Sequence, residues 1–329
     1  MGSIQYTEGV GIPHRSFEEE FLSHDKCSEW WYCTGYLKSE AEDRLFGYQF
    51  TLAKIRLMGL KFHLLICSVT DFAAQKHYNI QTPVFFGKGI TANHTVLAVG
   101  KQIRVELQPN EVSSMGRMKL HMESAEFVLD TEMNARKPPV WHCEDGALDM
   151  GVRNDPKERT YYYSFTNLAT SGRLVLNGKE YDGLTGKTWF DRQGGTYTLT
   201  KNEASWEWYS LRFFDNSEAM LFVFPQTGYQ DGTRIAEDGS YHRLNDYRVK
   251  EEKIIEYNGM KFSCGWKLTM EGKDYTLVPL VDGMFNVFFF ELLASIRDAD
   301  GREVGYCFVE LLPGARNKKK ITDAFKIKR

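Results

Sequence analysis

Short runs of apolar and aromatic residues recur along the whole chain, separated by turns rich in Gly, Asp and Asn. In the first half of the chain these runs cover residues 45–55, 62–69, 95–99, 103–107 and 119–129. Runs of this length without helical periodicity are typical of antiparallel strands and argue against βαβ units. One helical signal stands near the N-terminus, where Ser16 can cap a short helix and Glu19 follows three residues later. The pattern therefore predicts an all-β fold.

One aromatic segment occurs twice along the chain. Its first copy, EWWYCTGYL, begins at Glu29, and its second copy, WEWYSLRF, begins at Trp206. A polar turn and a second apolar run follow each copy, which predicts the same β-hairpin in both places. Aligning Tyr32 with Tyr209 sets the two copies a little over half the chain apart. We therefore predict two similar β-domains in tandem.

The stretch from residue 134 to residue 155 interrupts the strand pattern. It contains Pro138 and Pro139, which cannot donate hydrogen bonds to a sheet, and two glycines follow them. Such a stretch is typical of a crossing between domains. The predicted domains are an N-terminal one over residues 1–155 and a C-terminal one over residues 156–329.

Length and charge narrow the class of protein. A chain of 329 residues with 42% hydrophobic residues exceeds the size at which a single core usually stops growing. The formal net charge is −3, and the only dense basic run is Lys318-Lys319-Lys320, so nucleic acid is not an expected partner. No apolar run approaches the length of roughly 18 residues that a membrane span needs. We expect a cytoplasmic protein without a membrane span, with a monomer favoured.

Metal and nucleotide motifs are missing from the sequence. Six cysteines are scattered through apolar surroundings, and neither C-x-x-C nor H-E-x-x-H occurs. The segment from Gly183 to Thr188 ends like a phosphate-binding loop, but position 181, where the first glycine belongs, is Tyr181. The sequence therefore predicts reduced thiols, no metal site and no cofactor.

The candidate chemistry lies in polar residues embedded in aromatic strands. Because side chains alternate along a strand, Trp189 and Asp191 face the same side. A buried carboxyl group beside a Trp face suits acid catalysis on an apolar substrate, since aromatic faces can stabilise a developing cation by about 0.5 to 2 kcal/mol each. The alternative is structural: Asp191 pairs with Arg192 or accepts hydrogen bonds from a turn.

The sequence resembles the AttH-like family of tandem lipocalin-like proteins, which includes carotenoid 1,2-hydratases, kievitone hydratase and fungal decalin-forming Diels–Alderases. The blocks that carry this likeness are, in chain order, Glu29-Trp30-Trp31-Tyr32 with Gly35 and Leu37, Phe46-Gly47-Tyr48-Gln49-Phe50-Thr51, Lys137-Pro138-Pro139-Val140, Tyr161-Tyr162-Tyr163-Ser164, Gly186-Lys187-Thr188-Trp189-Phe190-Asp191, Trp206-Glu207-Trp208 and Gly305-Tyr306-Cys307-Phe308-Val309-Glu310. Two positions depart from the family pattern. Arg192 follows Asp191 where relatives often have histidine, and Cys143 follows His142 where many have glycine.

The resemblance implies two tandem lipocalin-like antiparallel β-barrel domains and a ligand cavity between the barrels or at the mouth of one. It also implies a cofactor-independent enzyme that hydrates, isomerises or cyclises a small hydrophobic unsaturated metabolite such as a terpenoid, polyene or polyketide. The alternative is a non-catalytic carrier of a hydrophobic ligand, because the fold does not determine the function. The predicted catalytic residues are Asp191, Arg192 and Gln49. The predicted substrate-binding residues are Glu29, Trp31, Tyr32, Trp189, Trp206, Trp208, Tyr209, Tyr229 and Tyr306.

Overall fold

The computed structural model describes residues 16–24, 27–57, 60–84, 87–143, 146–152, 155, 157–197, 202–257, 259–281, 284–286 and 289–317. The basic run Lys318-Lys319-Lys320 lies outside the described residues. Within them the chain divides into two compact units. Unit 1 comprises residues 16–141 and 162–195, and unit 2 comprises residues 142–161 and 196–317. This division follows compactness in space, so the domain boundary after residue 155 stays a prediction.

The described residues include one short α-helix, the 3₁₀ turn given below and 25 strands. The helix α1 (Phe17–Phe21) begins after Ser16, whose Oγ accepts a hydrogen bond from the Glu19 N–H at 3.1 Å, which confirms the predicted cap. The 3₁₀ turn is Asn202–Ala204. The strands up to residue 195 are β1 (Ser28–Ser39), β2 (Arg44–Leu57), β3 (Leu60–Asp71), β4 (Lys76–Val84), β5 (Ile90–Ala92), β6 (Val96–Val99), β7 (Ile103–Gln108), β8 (Arg117–Glu123), β9 (Phe127–Ala135), β10 (Val140–Trp141), β11 (Ala147–Asp149), β12 (Arg159–Leu176) and β13 (Lys179–Gly195).

The second half of the chain continues the same pattern. Its strands are β14 (Glu207–Phe213), β15 (Glu218–Phe224), β16 (Tyr229–Ile235), β17 (Tyr241–Arg243), β18 (Tyr247–Glu251), β19 (Ile254–Tyr257), β20 (Met260–Ser263), β21 (Trp266–Met270), β22 (Lys273–Pro279), β23 (Met284–Asn286), β24 (Phe289–Arg297) and β25 (Glu303–Leu311).

All strand pairs in both units that the structure describes by register are antiparallel. In unit 1 the strand order is β4–β3–β2–β1–β13–β12–β9–β8–β7–β6–β5, and β10 also pairs with β12. In unit 2 the order is β17–β16–β15–β14–β25–β24–β22–β21–β18, while β23 pairs with β24 and β19 with β20. The short strand β11 pairs with the start of β12, Ala147 opposite Tyr161. This architecture confirms the predicted all-β class with tandem lipocalin-like sheets.

Each unit has its own hydrophobic core, and the cores show which face of each strand points inward. Trp31 and Cys33 of β1 belong to the core of unit 1, while Tyr209 and Leu211 of β14 belong to the core of unit 2. Tyr32 points away from the core of unit 1, whereas Tyr209 points into the core of unit 2, so aligning them equates residues on opposite faces. The internal alignment is therefore wrong by one residue, and Trp31 is the counterpart of Tyr209.

The described residues also show the state of the cysteines and the arrangement of possible metal ligands. All six cysteines are buried and free of disulfides. Within the described part of the chain no three His, Cys, Asp or Glu side chains are grouped so that they could hold a metal ion. No helix among the described residues is long and apolar enough to cross a membrane.

Candidate functional site

Glu29 is the centre of a buried ionic cluster in unit 1. It lies at the start of β1 and is fully buried; its Oε2 accepts a hydrogen bond from Arg192 Nη2 at 2.6 Å, while Lys54 Nζ contacts its Oε1. The backbone N–H of His24 donates to Oε1 at 2.9 Å. Burial alone would raise the pKa of Glu29, but the two neighbouring cations and the hydrogen bonding of His24 outweigh it and hold that pKa well below its ordinary value. Glu29 is therefore an ionised, fully paired carboxylate.

Arg192 connects this cluster to the N-terminal helix. Its guanidinium lies over the ring of Trp31, with Cζ 4.1 Å from the ring centroid, and its Nη2 donates to the carbonyl oxygen of Leu22 at 2.6 Å. The indole Nε1 of Trp31 donates to the carbonyl oxygen of Phe21 at 2.9 Å. These contacts hold the segment after α1 against β1 and β13. They support a structural role for Arg192, Trp31 and Glu29.

Asp191 lies on the opposite face of the same strand. Its Oδ1 accepts hydrogen bonds from the Tyr162 hydroxyl at 3.0 Å, from Ser164 Oγ and from Trp189 Nε1. All four side chains are buried. Residues 162 and 164 of β12, and 189 and 191 of β13, are two apart, so each pair shares one face of its strand. The spacing of Trp189 and Asp191 thus predicted a contact that the structure contains.

Three hydrogen bonds to one oxygen fix the orientation of the Asp191 carboxyl group. An oxygen that accepts three hydrogen bonds is fully occupied as an acceptor, so Oδ1 is held in place by Tyr162, Ser164 and Trp189. Tyr32 of β1 is paired directly opposite Asp191 and is buried on the same face. This face therefore presents a carboxylate between aromatic side chains, which can transfer a proton where water is scarce.

Gln49 lies farther across this face, on β2. It is buried, its Nε2 donates to Thr51 Oγ1 at 2.5 Å, and its Oε1 accepts from Ser68 Oγ at 3.2 Å. Its cross-strand partner in β1 is Thr34, two residues from Tyr32. Gln49 therefore shares the face of Asp191 but is held by neighbouring side chains of unit 1.

In unit 2, two predicted tryptophans surround a carboxylate. Trp206 Nε1 donates to Glu310 Oε1 at 2.7 Å, and Trp208 is the cross-strand partner of Glu310. The ring of Trp206 lies 6.3 Å from that of Tyr197. Burial, and then the negative charges of Glu310 and Glu158, raise the pKa of Tyr197. The three aromatic residues and Glu310 form an acid–aromatic group within unit 2.

Tyr209 lies inside the core of unit 2, not on the face of Trp208. Its hydroxyl donates to Glu207 Oε2 at 3.0 Å, and Arg316 donates to both oxygens of Glu207 at 2.6 and 2.9 Å. Burial, and then the charge of Glu207, raise the pKa of Tyr209 well above its ordinary value. This arrangement supports a role in the core.

The last two predicted residues of unit 2 have different surroundings. The Tyr229 hydroxyl donates to Asp231 Oδ2 at 3.0 Å, and Arg243 holds the same oxygen from Nη2 at 2.7 Å. The ring of Tyr306 packs against that of Phe214, with 5.5 Å between their centroids. Ring contacts through Phe224 and Phe222 connect Tyr229 to Trp206. Tyr306 lies four residues from Glu310 on β25 and therefore shares one face of that strand with it.

Comparison with known families shows which family the chain belongs to. The sequence model of a family described as AttH-like matches residues 12–314, which is most of the sequence. The chain belongs to the AttH-like family. No protein of curated function matches it in sequence.

Solved structures with the AttH-like fold span nearly the whole chain. A putative AttH from Nitrosomonas europaea has a TM-score of 0.81 and 19% identity, covering 94% of this chain and 99% of its own. Kievitone hydratase from Nectria haematococca has a TM-score of 0.69 and 14% identity, covering 93% and 95%. CghA, in a crystal structure with Sch210972, has a TM-score of 0.54 and 10% identity, covering 94% and 95%. At these identities the likeness shows the fold.

One departure from the AttH-like pattern has a visible backbone consequence. Cys143 has a φ of +63°, in the left-handed region that favours glycine, which explains why glycine suits this position. Its N–H donates to Thr233 Oγ1 at 2.8 Å. The preceding residue, His142, is fully buried, and burial lowers its pKa to about 3, so its imidazole is neutral at physiological pH.

The structure of this AttH-like chain separates the predicted residues into different groups. On one face of unit 1 it brings together Asp191 and Trp189, and it adds Tyr162 and Ser164. Sequence reasoning did not select these two, although their spacing of two residues within an aromatic block was a usable signal. Glu310 was also missed; its place in the same block as Tyr306 was the available signal.

Two surface cavities lie elsewhere on the described part of the chain. One of about 690 Å³ in unit 2 is lined by residues that include Phe213, Phe214 and Tyr275. One of about 420 Å³ in unit 1 is lined by Arg104, Arg173 and other charged residues. None of the predicted site residues lines either cavity. The candidate site therefore rests on the side-chain geometry around Asp191.

Proposed function

We propose that this AttH-like protein is an enzyme of the hydratase or cyclase type. It acts on a small hydrophobic unsaturated metabolite by hydration, isomerisation or cyclisation, and Asp191 is its proton-transfer residue. Trp189, Tyr32 and Gln49 line the same face and contribute to substrate binding. The assignment of Trp206, Trp208 and Tyr229 of unit 2 to substrate binding stays a prediction.

The observation that carries this proposal is the environment of Asp191. A carboxylate that is 2% exposed, with three donors on one oxygen, costs stability to desolvate, and a simple apolar core has no need of it. Perturbed or unusually surrounded carboxyl groups beside aromatic side chains are typical of proton-transfer sites. The fold shared with kievitone hydratase and CghA supports the class of enzyme, while the reaction itself is our proposal.

The competing function is a carrier that binds a hydrophobic ligand without changing it. Tryptophans alone would serve a carrier, because ligand pockets are mainly apolar with few polar groups. The hydrogen bonds that fix Asp191 favour the enzyme, since orientation of a carboxylate contributes to proton transfer and adds nothing to carriage of a hydrocarbon.

Isotope labelling distinguishes enzyme from carrier. The purified protein is incubated with a panel of terpenoid, polyene and polyketide compounds in water labelled with ¹⁸O or deuterium, and products are analysed by mass spectrometry. Binding is followed in parallel by quenching of tryptophan fluorescence. We expect saturable quenching together with a product that carries the label in hydration or isomerisation, or an isomer of unchanged mass in cyclisation. Saturable binding of many ligands without any product would identify a carrier.

A further inference from the structure

We infer that the cavity of about 690 Å³ in unit 2 binds a polyamine, a small organic cation with several ammonium groups. Three hairpin turns surround this cavity, and its lining comes from residues 213–215, 272–275, 298–300 and 302–304. These turns join β14 to β15, β21 to β22 and β24 to β25. None of the residues assigned to the proposed enzyme lines the cavity, so this site goes beyond that function and does not depend on it.

Aromatic side chains form one wall of the cavity. Phe214 is 48% exposed, although it lies at a hairpin turn where polar residues are usual. Its ring packs against that of Tyr306 with 5.5 Å between centroids, and the ring of Phe213 lies 5.4 Å from that of Tyr275. A volume between about 300 and 1,000 Å³ is typical of small-molecule sites. The exposed ring of Phe214 therefore offers a ligand an aromatic contact surface.

The charges that line the cavity are mainly negative. Its five carboxylates are those of Asp215, Asp274, Asp298, Asp300 and Glu303. Its cationic side chains are Lys273 and Arg302, and Arg302 Nη2 is already paired with two of these carboxylates, at 2.7 and 3.0 Å. The face of an aromatic ring also attracts a cation that lies within about 6 Å of its centroid. The carboxylates and the aromatic wall therefore both select a positively charged ligand.

The pKa of Tyr275 shows that carboxylates from different turns act on the same part of the cavity wall. Burial raises this pKa, and the charge of Arg234, which is outside the lining and is paired with Glu271 at 3.1 Å, opposes the increase. The charges of Asp215 and Asp298 raise the pKa of Tyr275 further. Asp215 follows β14 and Asp298 follows β24, so two hairpin turns direct negative charge toward one aromatic residue of the wall.

The spacing of the carboxylates favours a ligand with several charges over a metal ion. Within the part of the chain that the structure describes, no three Asp, Glu, His or Cys side chains are grouped so that they could hold a metal ion. The carboxylates of the cavity stand on three separate turns, so each can pair with a different ammonium group. The methylene groups of a polyamine can pack on Phe214 and Tyr275, as the stems of lysine side chains do on apolar surfaces. A compact cation with one charge would leave most of these carboxylates without a ligand contact.

Isothermal titration calorimetry with spermine as the probe tests this site. We expect saturable binding of one spermine per chain, with an affinity that falls as NaCl is added, because salt screens exposed charges. Asp274→Asn, Glu303→Gln and Phe214→Ala each remove one contact of the cavity, and the dissociation constant should rise by about 2- to 5-fold in each. The three side chains are exposed, so each variant should fold, which circular dichroism checks. Asp274→Asn combined with Phe214→Ala should raise the dissociation constant by about 10-fold.

Glu256→Gln is the matched control for these variants. Glu256 is an exposed carboxylate of unit 2 on β19 that does not line the cavity, so its loss should leave the affinity for spermine unchanged. No binding of spermine, or an equal loss of affinity in Glu256→Gln and Asp274→Asn, would overturn the inference. Equal affinity for an uncharged diol of similar length would contradict selection by charge. Tighter binding of a capped tetralysine peptide, which carries as many charges as spermine, would assign the cavity to a protein partner and overturn the polyamine.

Discussion

Substitution of Arg192 tests whether this residue has a structural or a catalytic role, because it was predicted to be catalytic and lies in a buried ion cluster. In Arg192→Met the guanidinium is lost while Glu29 stays buried, and Lys54, His24 and Ser23 still contact its carboxylate. Removal of one partner of a buried ion pair lowers the free energy of unfolding by about 3 to 5 kcal/mol. Because Lys54 still offsets the charge of Glu29, we expect a loss of about 3 kcal/mol in the free energy of unfolding.

The reciprocal variant should cost more. Glu29→Gln leaves Arg192 and Lys54 buried without their shared carboxylate, so we expect a loss near 5 kcal/mol. The double variant Glu29→Gln/Arg192→Met should lose less than the sum of the single changes, with a coupling free energy of about 1 to 3 kcal/mol. Additive losses would show that the two side chains do not stabilise each other.

Urea unfolding at neutral pH, followed by tryptophan fluorescence and by circular dichroism, measures these free energies. The two signals need to be compared because a chain with two compact units need not unfold in one step. A stability loss below about 1 kcal/mol in Arg192→Met, together with loss of turnover, would refute the structural role and return Arg192 to the catalytic group.

Three further predictions test particular contacts. Burial lowers the pKa of His142 from 6.5 to about 3. The free energy of unfolding should therefore not depend on this residue above about pH 6.5, and it should fall by about 1.4 kcal/mol per pH unit as pH decreases from 6.5 toward 3. In urea titrations of His142→Asn this pH-dependent loss of stability should be absent. In Gly35→Ala the new Cβ would lie 2.2 Å from Tyr48 Cζ, so thermal unfolding should show a loss of about 1 to 3 kcal/mol, and a neutral result would contradict this crowding. Arg316→Gln removes both hydrogen bonds to Glu207, and chemical unfolding of unit 2 should show about 3 kcal/mol of destabilisation, whereas a loss under about 1 kcal/mol would count against that ion pair.

The strand pattern along the sequence predicted the all-β class and the twin hairpins, but not how the strands associate. Gly172 interrupts an apolar run, and a glycine at such a place can mark a turn between two strands. In the structure Arg159–Leu176 is the single strand β12, and a Cβ on Gly172 would lie 2.5 Å from the carbonyl oxygen of Asp130. This glycine serves close backbone approach and not a turn. A local pattern does not distinguish these two uses.

The candidate site was only partly predictable for a similar reason. The alternation of side chains placed Trp189 and Asp191 on one face, and the structure contains that contact. The same rule puts Arg192 on the other face, so its grouping with Asp191 as a catalytic pair did not follow from the sequence. Tyr162 and Ser164 come from β12, and the neighbour of a strand depends on long-range packing that no local spacing reveals.

The most direct test of proton transfer at Asp191 is product formation by Asp191→Asn, measured beside ligand affinity in the same preparation. The variant keeps the size and polarity of the side chain but cannot transfer the proton. We predict a fall in turnover of roughly 10²-fold to 10⁴-fold, with a dissociation constant that changes little. Turnover equal to that of the unsubstituted protein, at unchanged affinity, would contradict the proposed role of Asp191 in this AttH-like protein.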